Sequence, residues 1–94
     1  MHYVYILHSE KLNRFYVGET DNIVRRLDEH NTGFFKNSFT TKTSDWEIFI
    51  LINCCDRIQA RKIETHIKKM KSKKYIQDLE CYPEIIEKLK NKYK

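Results

Sequence analysis

Apolar and polar positions switch period several times along the chain, and each switch marks an expected element. Residues 2–9, HYVYILHS, are rich in β-branched and aromatic side chains and read as a strand. Residues 10–14 are polar and supply a turn, to which Lys11 and Asn13 are suited. Phe15 to Glu19 then reads as a second short strand, and so short a connection predicts a hairpin. Gly18 is expected to let the backbone turn, and Thr20 or Asp21 to cap a helix running to about Asn31, with Gly33 just past its end. Residues 34–45 are dominated by Thr, Ser and Lys, with Phe34 and Phe35 at their start, and read as a loop. Trp46 to Asn53, WEIFILIN, is the most apolar stretch and is expected to be the central strand. A helix from Arg57 to about Lys71 carries Ala60, Ile63, Ile67 and Met70 on one side. A short helix is predicted over residues 73–79, and Pro83 suits the first turn of a last helix ending near Tyr93. No repeat, low-complexity tract or linker divides the chain, which predicts one domain of mixed α and β structure.

The same periodicity isolates residues that do not fit a purely apolar interior. In the first strand, Tyr3, Tyr5 and Leu7 share one face while Val4 and Ile6 share the other, so Tyr5 is off the most apolar face. A hairpin can set Tyr5 beside Tyr16, either as ordinary cross-strand aromatic packing or as a pair of hydroxyls with chemical work. Ile23, Arg26, Leu27 and His30 fall on one helical face, so Arg26 and His30 interrupt a stripe that should face inward. Arg25 points elsewhere and reads as solvated. Glu64, four residues after Ala60 and three before Ile67, stands at the margin of the apolar face of its helix. A carboxylate there needs a cation, because burying it unpaired is costly or shifts its pKa. Arg26 is one candidate, as a structural ion pair, and a divalent metal is the other. Mg²⁺ is commonly held by one or two carboxylates together with substrate phosphate and water. A metal ligand, a cation and hydroxyls together are the groups phosphodiester chemistry uses.

Charge adds a partner class. The formal charge is +5 and the pI about 9.1, which attracts polyanions although net charge also serves solubility. Lys68, Lys69, Lys71, Lys73 and Lys74 crowd the end of an amphipathic helix and can track a phosphate backbone, whereas Lys88, Lys90, Lys92 and Lys94 read as a solvated tail. Apolar residues at 40% and aromatics at 13% suffice for one compact core and exclude a disordered chain. Six tyrosines each need a hydroxyl partner when buried. Cys54, Cys55 and Cys81 are odd in number, two are adjacent, and no CxxC spacing occurs, so neither a disulfide framework nor a zinc site is expected. Reduced thiols suit a cytoplasmic setting. No signal-peptide core and no apolar run of membrane length occurs, so a soluble, intracellular protein is expected.

These residues, taken in order, resemble the GIY-YIG nuclease family, and its small stand-alone, excinuclease-subunit-C-like branch in particular. The likeness covers roughly residues 1–74, leaving a basic helix over about 83–93. Tyr3-Val4-Tyr5 stands for the first motif and Tyr16-Val17-Gly18, eleven residues after Tyr5, for the second. The family Arg falls on Arg26 in R-R-L-x-x-H, whose His is His30, and the family Glu on Glu64 in A-x-x-x-E-x-x-I-K.

The resemblance implies an α+β fold, a small three-stranded antiparallel sheet flanked by helices, and a metal-dependent endonuclease acting on nucleic acid, DNA first. It implies that Glu64 holds Mg²⁺ or Mn²⁺, Tyr5 is the general base, and Tyr16 positions water or phosphate. Arg26 would bind a phosphate oxygen and His30 take or pass a proton. A free phenol has a pKa near 10, so Tyr5 must be depressed by positive charge or act within a relay. Three departures stand out: Tyr3 replaces a Gly, Glu19 stands where some members carry Lys, and Ile76 where some carry Asn. Lys69 and Lys71 are substitutes for the missing phosphate contacts. The rivals are a catalytically silent nucleic-acid-binding module of the same fold and a structural protein using these residues as an internal network. Oligomeric state stays open.

Overall fold

The structure, a computed structural model, describes residues 1–34 and 39–94; Phe35, expected at the start of the loop, lies outside the described residues. Among the described residues, strands β1 (His2–Ser9), β2 (Arg14–Thr20) and β3 (Glu47–Cys54) form one antiparallel sheet. Helices α1 (Ile23–Asn31), α2 (Arg57–Met70), α3 (Lys73–Cys81) and α4 (Pro83–Lys92) flank it, which is the α+β architecture expected.

The sheet order is β2-β1-β3, so β1 is central and β3, despite its apolar sequence, is an edge. Val4 to Leu7 are buried without interruption, because both faces of β1 are covered. On β3 only alternate residues go inward: Ile50, Ile52 and Cys54 are buried, while Ile48 and Leu51 remain 42% and 40% exposed. An apolar run reports hydrophobicity and not position in the sheet. The β1–β3 register also slips between Ile6 and Leu7, where Ile6 faces Ile50 and Leu7 faces Ile48, leaving Phe49 as an extra residue on β3.

The two faces of the sheet bury different things. On one, Val4, Ile6, Val17 and Ile52 pack against Ala60, Ile63 and Ile67 of α2, Ile76 and Leu79 of α3 and Leu89 of α4. On the other, Tyr5, Leu7 and Trp46 pack with Leu12, Tyr16, Ile23 and Leu27. The apolar stripe of α2 ends at Ile67, since Met70 is 46% exposed and Lys71 closes the helix in the left-handed conformation, φ 48°.

Local chemistry sets the helix starts. Asn22, rather than Thr20 or Asp21, caps α1 by accepting from Arg25 N, and Thr20 instead receives the Asn22 N–H on its hydroxyl. Asp56 caps α2 and Ser72 caps α3, and Pro83 occupies the first turn of α4. The segment read as a loop contains a short 3-10 turn, Phe39–Lys42. All three cysteines are free thiols, Cys54 buried and Cys55 and Cys81 exposed. No helix among the described residues is long and apolar enough to cross a membrane.

Candidate active site

Tyr5 leaves the central strand on the face opposite α2, and its Cα partner on β2 is Gly18. A Cβ on Gly18 would collide with the Tyr5 hydroxyl and the ring carbon that bears it. The phenol therefore lies across the edge strand, over the position that has no side chain. Gly18 does not turn the chain as expected: β2 continues to Thr20, and the glycine is required for the space it leaves.

Lying over the edge strand brings the Tyr5 hydroxyl to residues of α1. The hydroxyl is 2.9 Å from His30 Nε2, and the Arg26 guanidinium donates a hydrogen bond to it. His30 Nδ1 is 2.9 Å from the hydroxyl of Thr40, which is fully buried in the 3-10 turn. One neutral tautomer of His30 takes the phenol proton at Nε2 and gives its Nδ1–H to Thr40 Oγ1, and the other tautomer reverses both bonds. The turn is fixed in its place by Trp46, whose Nε1–H donates to the Thr40 carbonyl at 2.9 Å. Asn31, next to His30, holds the backbone of Trp46 from both sides, accepting from its N–H at 2.8 Å and donating to its carbonyl at 3.0 Å.

Tyr16 stands beside this chain, its ring centroid 4.9 Å from His30 and 6.5 Å from Tyr5, and is only partly buried. Tyr5 itself is 1% exposed. Burial first, then the neighbouring Tyr16 phenol, push its pKa well above the ordinary tyrosine value, and the Glu64 carboxylate adds to this while Arg26 opposes it. The expectation of a phenol depressed by positive charge is thus corrected: the loss of hydration outweighs Arg26. At His30, burial and then Arg26 lower the pKa to about 4, leaving a neutral imidazole at neutral pH.

Arg26 and Glu64 each have an ionic partner on their own helix. Arg26 Nε is 3.3 Å from Glu29, and Glu64 is 3.2 Å from Lys68 Nζ. The Glu64 side chain keeps 18% of its surface exposed. Arg26 also borders a cavity of about 280 Å³ with His2, Glu19, Thr20 and Arg57. Glu19, where some family members carry Lys, is tied to the His2 ring and lies 3.8 Å from Arg57 Nε. The arginine supplies a cation beside the position that Glu19 made acidic. Ile76, where some carry Asn, is a core residue beside Leu79.

The five lysines read as one nucleic-acid track are divided. Lys68, Lys71 and Lys73 surround a hollow of about 300 Å³ with Arg14, and Lys73 Nζ also donates to the Asn13 carbonyl at 2.8 Å. Lys74 is paired with Asp78 at 3.3 Å, and Lys69 lines a different groove. Lys68 and Lys69 part because adjacent residues face different sides of α2, whereas Lys68, Lys71 and Lys73 gather around its end. Thr40, Asn31, Trp46 and Arg57 support or border the site and were not singled out from sequence. Among polar loop residues Thr40 has no local signature. Arg57 could have been found as the residue two helical turns before Glu64.

Among the described residues no group of three or more His, Cys, Asp or Glu is disposed to hold a metal. The carboxylate in this region is that of Glu64, and a hard cation such as Mg²⁺ bound through one carboxylate would take the rest of its shell from water and phosphate.

A family model described as the GIY-YIG catalytic domain matches residues 1–76, a span that includes all three strands, α1, α2 and every residue of the cluster around Tyr5. Comparison with curated proteins and with solved structures finds no significant match.

Proposed function

The chain belongs to the GIY-YIG family, and from that premise we propose that it is a metal-dependent endonuclease hydrolysing phosphodiester bonds in DNA. One observation carries the reading. The Tyr5 hydroxyl, from the central strand, is within hydrogen-bond reach of both His30 and Arg26 and lies in the field of Glu64 from a separate helix. Packing alone does not require a buried phenol, a neutral imidazole, a guanidinium and a carboxylate at one sheet edge.

Glu64 is the residue that would hold Mg²⁺ or Mn²⁺, and the bound cation supplies charge neutralisation at the scissile phosphate and at the departing 3′ oxygen. Arg26, always protonated, binds a phosphate oxygen and fixes the scissile group against the edge of β2. Tyr16, the less buried phenol, positions the attacking water. Tyr5 accepts a proton from that water as its own proton passes to His30 Nε2, so the phenol is never left as a free phenolate. His30 becomes an imidazolium and keeps its Nδ1–H on Thr40. Lys68, Lys71, Lys73 and Arg14 around the end of α2 contribute sequence-independent contacts to flanking phosphates. Three free thiols fit a cytoplasmic enzyme.

A catalytically silent nucleic-acid-binding module of the same fold is favoured by a single observation, the closure of Tyr5 from solvent at 1% exposure. A panel of labelled duplex, nicked, flapped and branched DNAs and RNA, incubated with Mg²⁺ or Mn²⁺ against EDTA, separates the two. Metal-dependent cutting that disappears in Glu64→Ala is the expected result. Full cutting by that variant would sink the assignment of Glu64, and salt-sensitive binding without any cutting would establish the silent module.

A further inference from the structure

On the side of α2 turned away from Glu64, a groove of about 480 Å³ opens between that helix and the end of α4. Its charged lining consists of Arg61, Lys62 and Lys69, with no carboxylate among the described residues that form it. Its floor is apolar and aromatic. Met70 contributes a half-exposed thioether, and His66 and Tyr93 meet edge-to-face at 5.7 Å, locked by a 2.9 Å hydrogen bond between His66 Nδ1 and the Tyr93 hydroxyl. None of these residues belongs to the cluster around Tyr5.

Cations above an aromatic floor match the two chemistries of an unpaired nucleotide, an anionic phosphate and a flat base. The volume lies within the range of sites that hold ligands of that size. Arg61 and Lys69 are eight residues apart on one helix, roughly 12 Å at 1.5 Å per residue, so positive charge runs along the groove. That arrangement suits a run of phosphates better than one small anion. A paired base cannot reach the floor, whereas an unpaired one can. Arg61 also links the two regions: it lines the groove and sits three residues before Glu64, on the neighbouring row of the helix surface.

We propose that this groove binds an unpaired nucleotide of the strand held at Glu64, and that the protein therefore prefers nucleic acid with a single-stranded flank. The proposal rests on the nuclease reading for its view of Glu64, but the binding itself does not require cutting.

The test measures binding in EDTA, by fluorescence anisotropy, for a labelled single-stranded DNA and a blunt duplex of equal length. The proteins are wild type, the exposed double variant Arg61→Glu/Lys62→Glu, and Met70→Glu. The double variant should bind the single strand at least about tenfold more weakly, with a salt dependence shallower by roughly 1.4 for two lost phosphate contacts. Its duplex affinity should fall less than about threefold. Met70→Glu should weaken the single strand alone, since it places charge where a base rests. Unchanged single-strand binding, or equal losses on both ligands, would overturn the proposal. Cleavage of flapped DNA by the same proteins with Mg²⁺ keeps the two ideas apart. A wild type that cuts while the variants bind single strands normally removes the groove and spares the nuclease. Groove-dependent binding without any cutting does the reverse.

Discussion

The two faces of the sheet answer to different physics. Behind β1, Val4 and Ile6 meet Ile63, Ile67 and Leu79, an interior of aliphatic groups where volume is what matters. In front, Tyr5 and Leu7 meet Tyr16, Trp46 and His30, and the buried polar atoms are joined in a chain from Arg26 to Thr40. The first face tolerates any change that keeps its shape. The second depends on which atom donates to which, so an isosteric change there is expected to be severe for chemistry and mild for folding.

The largest stability effect is expected from breaking the aliphatic face. Ile63→Ala should cost about 2–5 kcal/mol in urea unfolding, the usual range for such a truncation, with cleavage per folded molecule unchanged. Loss of specific activity in the remaining folded fraction would show that the faces are coupled. Tyr5→Phe is the counterpart on the polar face: it keeps the ring over Gly18 but removes the relay hydroxyl. Cleavage should fall by at least about 100-fold, within the range of acid–base catalysis, while unfolding shifts by about 1 kcal/mol.

A smaller effect is expected at Thr40. Thr40→Val removes the hydroxyl that meets His30 Nδ1, so a loss of about 1–3 kcal/mol and of roughly tenfold in kcat should both be recovered by Thr40→Ser. Failure of Ser to restore kcat would make Thr40 a packing residue only. The mildest effect is on acid stability. Because His30 is lowered to about 4 from 6.5, the unfolded chain takes up its proton first. Stability should therefore fall as pH drops from 6.5 towards about 4 and level off below, and His30→Gln should flatten that window. Asp45 acts in a lower window. Ser9, Lys11 N–H and Thr43 hold its carboxyl down to about 2, so its contribution persists until pH falls below the ordinary carboxylate value.

Much of the fold was legible because it is written in local periodicity. The hairpin, the apolar face of α2 over Ala60, Ile63 and Ile67, and the Pro83 start of α4 follow from rules that need only near neighbours. The misplaced central strand was not legible. The run 47–54 is apolar enough for a buried strand, yet it pairs on one side only and leaves Ile48 and Leu51 partly exposed. The inward placement of Arg26 and His30 also followed from the helical period of α1, but their partners did not. Arg26 reaches Tyr5 and Glu29, and His30 joins Tyr5 to a threonine ten residues on.

The sequence by itself determined which residues are out of place in an apolar interior, because side-chain period and polarity are local properties. It also determined, through the spacing of its motifs, the family to which the chain belongs. The tertiary structure alone decided that Gly18 serves as empty space for the Tyr5 ring, that the phenol is raised in pKa rather than lowered, and that the lysines after Ile67 divide between two hollows. Each of those outcomes depends on what lies opposite a residue in space, and desolvation and charge act over distances the chain order does not encode.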